Sequence, residues 1–258
     1  MNLVTLSTDF GETSHHLASA KGQLYRSFPG VQVVDINHSI SACDINEASF
    51  ILDYVYEDFP DGTIHILGVD ALHRLEHAGL LVMKMAEQFF IGYNHGLLPL
   101  IDPNASRSYY LLDGFLGNHF DWVKLAAISA VKVILQNSLS DFTCDLSEVY
   151  TKGQIQPVVF NDMLQGQVVY IGQRGLAHTN IQQNEFETFL GKAKPLIHLT
   201  RHETVTKICT HLLTLKKAEL GCFFNKRGYL CAGFYQDDTR ALLAFRYGTP
   251  VRIEKLHT

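Results

Sequence analysis

The sequence predicts an α/β chain: an N-terminal, doubly wound and mainly parallel sheet domain, followed by a smaller, mostly antiparallel β domain. Three observations carry that expectation. The 258 residues exceed the roughly 200–250 above which a single core commonly divides. The first half alternates strand and helix signals as βαβαβ, which implies a parallel sheet with right-handed crossovers. The second half carries short β runs between polar turns, with few helical patterns.

Each element has a local reason. Leu3–Thr8 is a short apolar run that ends in the turn signal Asp9-Phe10-Gly11. Ser14 is placed to cap a helix that runs to about Phe28, where Pro29-Gly30 ends it. Val31–Ile36 is the second strand and closes on Asn37-His38. Asp44-Ile45-Asn46-Glu47 is a capping box, with the acceptor in the cap position and Glu three residues on. Behind it, Ile45, Ala48, Leu52, Val55 and Phe59 repeat at three and four, one face of an amphipathic helix. Pro60-Asp61-Gly62 turns the chain into a third strand, Thr63–Val69, which runs out at Asp70. Leu80–Met85 and Phe89–Tyr93 read as further strands, and a helix with Trp122, Ala126, Ala127, Ala130 and Ile134 on its apolar side closes the half.

Farther on, Gln167–Ile171, Pro195–Leu199, Gly221–Phe224, Tyr229–Phe234 and Val251–Ile253 are the β runs. Thr204–Leu215, an ambiguous stretch, and Thr239–Phe245 are the helical candidates. The expected organisation is a domain over 1–150, a connection over 151–165 punctuated by Gly153 and Pro157, and a β-rich domain over 166–258.

Composition narrows the function classes. Apolar residues make up 47% and charged residues 18%, a globular pattern that rules out disorder. A net charge of −5 without a basic tract speaks against a nucleic-acid binder, because phosphate binding needs clustered Lys and Arg. No apolar run approaches the roughly 18 residues of a membrane span, and Met1 leads straight into Leu3-Val4-Thr5-Leu6 without a basic leader. The five cysteines, Cys43, Cys144, Cys209, Cys222 and Cys231, form no C-x-x-C pair and read as small apolar fillers in a reducing compartment. A cytoplasmic protein is the expectation. Histidine stands out, at 13 residues.

Chemistry in an open parallel sheet gathers outside the carboxyl ends of its strands. Three strands here end in polar residues: Asp9 after the first, Asn37-His38 after the second and Asp70 after the third. Two carboxylates and a histidine therefore converge on one edge, although Asp and Asn also end strands simply because they make turns. His38 reads equally as a turn cap, Lys21 as a solvated residue of the first helix, and Trp122 as core. The sequence has no G-x-G-x-x-G, no G-x-x-x-x-G-K-[ST], no H-E-x-x-H and no G-x-S-x-G. His15-His16 are adjacent and point to different sides of a helix, so no metal site is expected.

An ordered set of motifs adds a resemblance. Thr8-Asp9-Phe10-Gly11, Ala20-Lys21-Gly22, Pro29-Gly30-Val31, Val34-Asp35-Ile36-Asn37-His38 and Ile45–Phe50 are followed by Phe59-Pro60-Asp61-Gly62-Thr63-Ile64-His65 and Gly68-Val69-Asp70. Gly96-Leu97-Leu98, His119, Gly166-Gln167-Val168-Val169, Thr179-Asn180-Ile181 and Gly228-Tyr229-Leu230 complete it. In that order the chain resembles the S-adenosylmethionine hydroxide adenosyltransferases, relatives of the fluorinases and chlorinases. The likeness covers nearly the whole chain and is densest over residues 4–70.

The resemblance implies a barrel-like C-terminal domain and a homotrimer whose sites lie between subunits. It also implies a reaction without metal or cofactor, in which water or hydroxide attacks the 5′ carbon of S-adenosylmethionine and leaves adenosine and methionine. Residue by residue, it implies that Asp9 takes both ribose hydroxyls and that Phe10, otherwise a packing residue, offers a stacking surface. Asp70 matches the aspartate of the hydrolytic members' Asp-Arg-His set, and its presence favours water over halide. His119 lies at the histidine position. The arginine is displaced, with His77 at the counted position and Arg74 three residues earlier.

In the C-terminal domain, Asn225 and Arg227 occupy the region that receives the methionine carboxylate. Gly172 replaces an aspartate that holds the methionine ammonium, Leu176 replaces an adenine-reading asparagine, and Arg174 replaces an aromatic. Tyr93-Asn94-His95-Gly96 has replaced the family's Pro-Asp-Asn-Gly turn, and His73 and His95 read as surface histidines. The alternative to hydrolysis is a non-catalytic or altered-substrate nucleoside-binding member of the same fold. No nucleic-acid or membrane partner is expected.

Overall fold

The computed structural model describes residues 3–70, 79–103, 105–112, 122–136, 138–153, 155–172, 174–200 and 202–256, with the side chains of 122–127 outside that description. The chain forms two compact units, Met1–Gly153 and Gln154–Thr258. Among the described residues no helix is long and apolar enough to cross a membrane.

The first unit is built on one six-stranded sheet in the order β2-β1-β3-β5-β4-β6. Its strands are β1 (Leu3–Thr8), β2 (Gln32–Asn37), β3 (Ile64–Gly68), β4 (Leu80–Met85), β5 (Gln88–Tyr93) and β6 (Arg107–Leu112). β2, β1, β3 and β5 run parallel, and β4 lies antiparallel between β5 and β6. Ala86 and Glu87 make the tight β4–β5 hairpin, both at positive φ (48° and 57°), as a two-residue loop requires. β3 is buried at every position while β2, at the edge, is largely open. That difference explains why β3 reads as a continuous apolar run and β2 does not.

Helices α1 (His15–Ser27), α2 (Ile45–Val55), α3 (Leu97–Leu100) and α4 (Trp122–Leu135) complete this unit. Val4, Leu6, Ile64, Ile66, Leu80, Val82 and Ile91 alternate onto one sheet face and share a core with Leu17, Ala20 and Leu24 of α1 and Val131 and Ile134 of α4. α2 packs instead with α3.

Ser14 caps α1 as expected, its hydroxyl accepting the His16 N–H at 3.3 Å. Asp44 caps α2 through the N–H groups of Asn46 and Glu47, both at 3.0 Å. The reciprocal half of the predicted box is different: Glu47 accepts the N–H of Ser41 at 2.8 Å and so ties down the preceding loop. The predicted apolar face of α2 slips at its end. Tyr56–Asp58 tightens into a 3₁₀ turn, which advances the phase so that Tyr56 is buried while Val55 and Phe59 are half-buried. The side chains of Trp122, Ala126 and Ala127, expected on the apolar side of α4, lie outside the described residues.

A buried polar chain crosses the other sheet face. His65 Nδ1 lies 2.7 Å from Thr5 Oγ1 and its Nε2 lies 2.8 Å from Gln88 Oε1. Gln88 in turn donates to the carbonyls of Tyr56 (3.2 Å) and Phe59 (2.7 Å), which satisfies groups that the end of the helix leaves open. The His65 ring stacks on Phe90 with centroids 4.7 Å apart. Burial pushes its pKa down to about 4, so the ring is neutral at physiological pH.

The second unit is a nearly closed antiparallel, barrel-like sheet. Its strands are β7 (Val158–Phe160), β8 (Met163–Ile171), β9 (Ala177–Gln182), β10 (Lys194–His198), β11 (Thr204–Val205), β12 (Leu220–Phe224), β13 (Tyr229–Phe234) and β14 (Pro250–Leu256). They follow the order β11-β10-β14-β8-β9-β13-β12, with β7 on β8, and an Ile208–Cys222 bridge approaches closure. The stretch 151–165, read as a connection, carries β7 and the first residues of β8. β8 serves two partners, pairing β14 through Met163–Gln167 and β9 from Val168 onward. Gly166 sits at that bend: a Cβ there would meet Ile181 Cγ1 at 2.4 Å and Asn180 Oδ1 at 2.6 Å.

Among the described residues of this unit the α-helices are α5 (Gln183–Leu190) and α6 (Thr239–Leu243). The ambiguous stretch Thr204–Leu215 is not a helix; it holds β11 and a 3₁₀ turn, Leu212–Thr214. α5, β6, β9 and α3 were not expected as elements.

Candidate active site

The site grows from the parallel register of β1 and β3, which pairs Thr8 with Gly68. Asp9 and Asp70 therefore leave the sheet at the same carboxyl edge. Oδ2 of Asp9 accepts two backbone N–H groups, from Cys43 at 3.0 Å and from Asp70 at 3.1 Å. Cys43 and Asp70 both adopt the left-handed conformation, with φ of 61° and 50°. That geometry costs an L residue roughly 1–2 kcal/mol, which a charge-assisted hydrogen bond, at about 1.5–3 kcal/mol, offsets. Among the described residues, the second oxygen of Asp9 accepts no hydrogen bond.

The Cys43 thiol is pushed above its ordinary pKa by its interaction with the Asp70 carboxylate, by burial, and by the negative charge of Asp70 and Asp9. The expectation of five apolar fillers fails here. Cys222 and Cys231 are buried, as fillers should be, but Cys43 is exposed because it sits in the loop that leads into the Asp44 cap, at the open edge of the sheet.

A second layer holds the Asp9 turn. Thr8 Oγ1 lies 2.9 Å from His38 Nδ1 and accepts the Phe10 N–H at 3.4 Å. Glu12 accepts the His38 N–H (3.3 Å) and the Ser39 hydroxyl (3.2 Å), while Gly11 N–H donates to the His38 carbonyl at 2.8 Å. His38 is therefore a buried brace as well as a turn residue. Its Nε2 comes within 3.0 Å of Asp35 Oδ1, too obliquely for a hydrogen bond. Asp35 also accepts from Lys21 Nζ at 2.6 Å. Burial alone would raise the Asp35 carboxyl, but the Lys21 hydrogen bond and the His38 ring outweigh it and hold the pKa below the ordinary value. Lys21, read as solvated, is thus paired.

His95 corrects another expectation. It is buried, not a surface residue, and its Nε2 lies 2.9 Å from the Val69 carbonyl. A carbonyl only accepts, so Nε2 carries the proton and holds the backbone one residue before Asp70. Phe10 is half-buried, packed partly against the core and edge-on to His16 with centroids 6.5 Å apart. His119, His77 and Arg74, together with His73, lie outside the described residues. Among the described residues no group of three His, Cys, Asp or Glu side chains is arranged to hold a metal ion.

Asn225 and Arg227 stand in the turn between β12 and β13, in the second unit. Asn225 Oδ1 accepts the N–H groups of Arg227 (2.9 Å) and Tyr229 (3.0 Å), and its Nδ2 lies 3.3 Å from His178 Nδ1. Both ends of that amide are engaged in bracing the turn. His178 also meets Cys231 Sγ at 3.1 Å, and burial lowers its pKa to about 4. Elsewhere in this unit an open cleft of 790 Å³ is lined by Arg174, Leu176, Phe234, Tyr235, Gln236 and Asp238 among others. Gly172 closes the neighbouring turn, its N–H donating to the Leu176 carbonyl at 2.9 Å.

The residues that sequence reasoning missed are Cys43 and Thr8. A signal existed for the first: in a βαβ unit the start of the crossover helix lies at the same edge as the strand ends, so the residue before the Asp44 cap belongs there.

Comparison with known proteins shows what the chain is similar to. Residues 4–113 match the SAM hydroxide adenosyltransferase N-terminal domain. Along 98% of this chain and 96% of the relative, the sequence is 20% identical to an (R)-S-adenosyl-L-methionine hydrolase of Methanocaldococcus jannaschii. A 63-residue stretch, 24% of this chain and 21% of the relative, is 36% identical to a fluorinase of an Actinoplanes species. Among solved structures, an uncharacterized conserved protein of Thermotoga maritima superposes with a TM-score of 0.81 at 19% identity, covering 98% of this chain and 100% of that one. A conserved hypothetical protein of Thermus thermophilus superposes at 0.73 and 18% identity, with the same coverage, and these two likenesses concern the fold. The first unit is thus similar in sequence to the SAM hydroxide adenosyltransferase N-terminal domain, and the whole chain is similar at low identity to a SAM hydrolase.

Proposed function

We propose that the protein hydrolyses S-adenosylmethionine to adenosine and methionine. The observation that carries this reading is the carboxyl edge of β1 and β3, where Asp9 is fixed by the backbone of Asp70 within the segment that matches the SAM hydroxide adenosyltransferase N-terminal domain. The water oxygen bonds to C5′ as the C5′–S bond breaks, its electron pair goes to sulfur, and the water loses a proton. Methionine leaves as a neutral thioether. A sulfonium is already a good leaving group, so the protein has two tasks: to align water in line and to assist removal of its proton.

Asp9 receives the ribose diol through its second oxygen, since the first is held by two amides. Asp70 orients the water, with His119 and one of Arg74 or His77 completing the set. Arg227 helps to hold the methionine carboxylate, while Asn225 shapes that turn, and Phe10 flanks the base. The substrate is the only small molecule required; no cofactor or metal takes part. The protein works as a cytoplasmic homotrimer.

Incubation of the purified protein with S-adenosylmethionine, alongside Asp70→Ala, tests the reading. Adenosine and methionine should accumulate in equal amounts with the wild type alone. No adenosine above the Asp70→Ala background would refute it.

One observation favours a second reading, a changed nucleoside substrate or binding without turnover. Gly172 and Leu176 stand where the family places its ammonium and adenine partners, and the cleft carries Leu176 and Arg174 on its wall. Binding of S-adenosylmethionine without turnover, or turnover of another adenosyl compound alone, would establish that alternative.

A further inference from the structure

β3 and β5 run parallel, with Ile66 beside Ile91, so Val69 and Asp70 leave the sheet next to the turn that follows β5. That turn is anchored. Asn94 donates to the Glu148 carbonyl and accepts the Tyr150 N–H, both at 2.8 Å. Gly96, at φ of 98°, packs against Lys152, whose Cβ an added methyl would meet at 3.0 Å. His95 is thereby delivered, buried, to the Val69 carbonyl, with Nε2 2.9 Å from its oxygen.

The Val69 carbonyl and the Asp70 N–H are the two polar ends of one planar peptide group. His95 donates to the first, and Asp9 accepts from the second at 3.1 Å. The two side chains therefore grip opposite edges of the same peptide. Its orientation matters because Asp70 sits at φ of 50°, a conformation disfavoured for a residue with a Cβ. Rotating the peptide about its flanking bonds would return Asp70 to an ordinary negative φ. The same rotation would turn the N–H away from Asp9 and the carbonyl away from His95.

We propose that His95 is a positioning residue of the site: by holding the Val69–Asp70 peptide against rotation, it keeps the Asp70 carboxylate aimed and the Asp70 N–H on Asp9. This deepens the hydrolytic reading above and rests on it. The Cys43 N–H still holds Asp9 when the clamp is lost, so the effect falls on the water-orienting carboxylate more than on ribose binding. The ring acts through the backbone, as a hydrogen-bond donor only.

Two arms test this, and the first is independent of turnover. In a long-range proton–nitrogen spectrum of the wild type, Nε2 of His95 should resonate as a protonated nitrogen. Hydrogen exchange at the Asp70 amide should be about tenfold faster in His95→Leu, while Ile66 in β3 stays as protected as before. An unprotonated Nε2, an unchanged Asp70 rate, or a rise shared equally by Ile66 overturns the clamp. The wild-type Nε2 resonance decides the bond even where His95→Leu does not fold.

In the second arm, His95→Leu should lower kcat about tenfold, with KM for S-adenosylmethionine within about threefold. His95→Gln places an amide N–H near the Nε2 position and should recover most of that loss. An unchanged kcat in His95→Leu, or no recovery in His95→Gln, overturns the positioning role. A wild type without turnover refutes the hydrolytic reading itself, and the first arm then still decides whether His95 clamps the peptide.

Discussion

Asp70 donates its backbone N–H to the carboxylate of Asp9 at 3.1 Å, across the ends of two neighbouring parallel strands. Asp9 is therefore part of the scaffold that shapes the Asp70 turn, beside the ribose-binding role proposed for it. Removing it should do two things. Asp9→Ala leaves two N–H groups without their acceptor, and should cost about 1–3 kcal/mol of stability, less to the extent that water reaches the half-buried site. It should also abolish S-adenosylmethionine binding. Asp9→Asn keeps one acceptor oxygen and loses the charge, so it should retain more stability than Asp9→Ala while binding remains impaired. Urea unfolding with titration calorimetry checks both; equal stability of the two variants would contradict the double role.

His65 gives the fold a pH dependence whose sign is fixed. Its folded pKa of about 4 lies below the ordinary 6.5 because burial penalises the charged ring. The unfolded chain therefore binds more protons as pH falls from 6.5 to about 4. The stabilisation is fully present above 6.5 and is lost as pH falls through that window, by up to about 3 kcal/mol. His178 carries the same sign in the second unit. Unfolding midpoints should decline from neutral pH toward acid, and ring proton shifts of both histidines should remain those of neutral imidazole near pH 5.5. A His65 titration midpoint near 6.5 in the folded protein would contradict this.

Gly166→Ala should destabilise the second unit. The added methyl would lie 2.4 Å from Ile181 Cγ1 and 2.6 Å from Asn180 Oδ1. Asn180 cannot easily withdraw, because it accepts the Gln167 N–H at 2.8 Å and donates to the Ile155 carbonyl. Overpacking of this kind costs about 1–3 kcal/mol. Thermal unfolding should show the loss, and Ile181→Val, which removes the Cδ1 methyl that also crowds this position at 2.9 Å, should restore part of it. A wild-type melting temperature in Gly166→Ala would show that the β8 bend opens more readily than its contacts indicate.

Much of this architecture was legible because it is local. The β1 run, the Ser14 and Asp44 caps and the β3 run announce themselves through burial period and capping chemistry, and strand ends then place Asp9 and Asp70 together. What escaped was set by partners far along the chain. Glu47 has the spacing of a capping box, but the Ser41 amide competes for it. Cys43 looks like a small apolar residue until the Asp9 oxygen fixes its backbone. His95 in a polar turn gives no hint that the Val69 carbonyl waits beneath it. α5 was missed although Gln182 and Glu185 form a capping box, because Phe186 and Leu190 alone make a thin apolar face.

The Lys21–Asp35–His38–Thr8 chain separates exposed charge from buried brace, and substitution should resolve the two. Lys21 and Asp35 are partly exposed, at 29% and 44%, so Lys21→Met should cost no more than about 1 kcal/mol and less in salt. His38 is buried, at 1% exposed, and its Nδ1 meets Thr8 Oγ1 beside the Asp9 turn. His38→Leu strands the Thr8 hydroxyl in the interior, for about 1–3 kcal/mol. The Asp35 carboxyl, held below its ordinary pKa, contributes stability above that value and loses it as pH falls through the folded one. Lys21→Met should therefore flatten the acid limb of the stability curve near the carboxylate range. His38→Leu should lower stability at every pH and raise KM for S-adenosylmethionine, since Thr8 also receives the Phe10 N–H that shapes the Asp9 turn. Urea unfolding across pH with steady-state kinetics distinguishes the two; a KM effect in Lys21→Met as large as in His38→Leu would mean that the surface pair, not the buried histidine, positions Asp9.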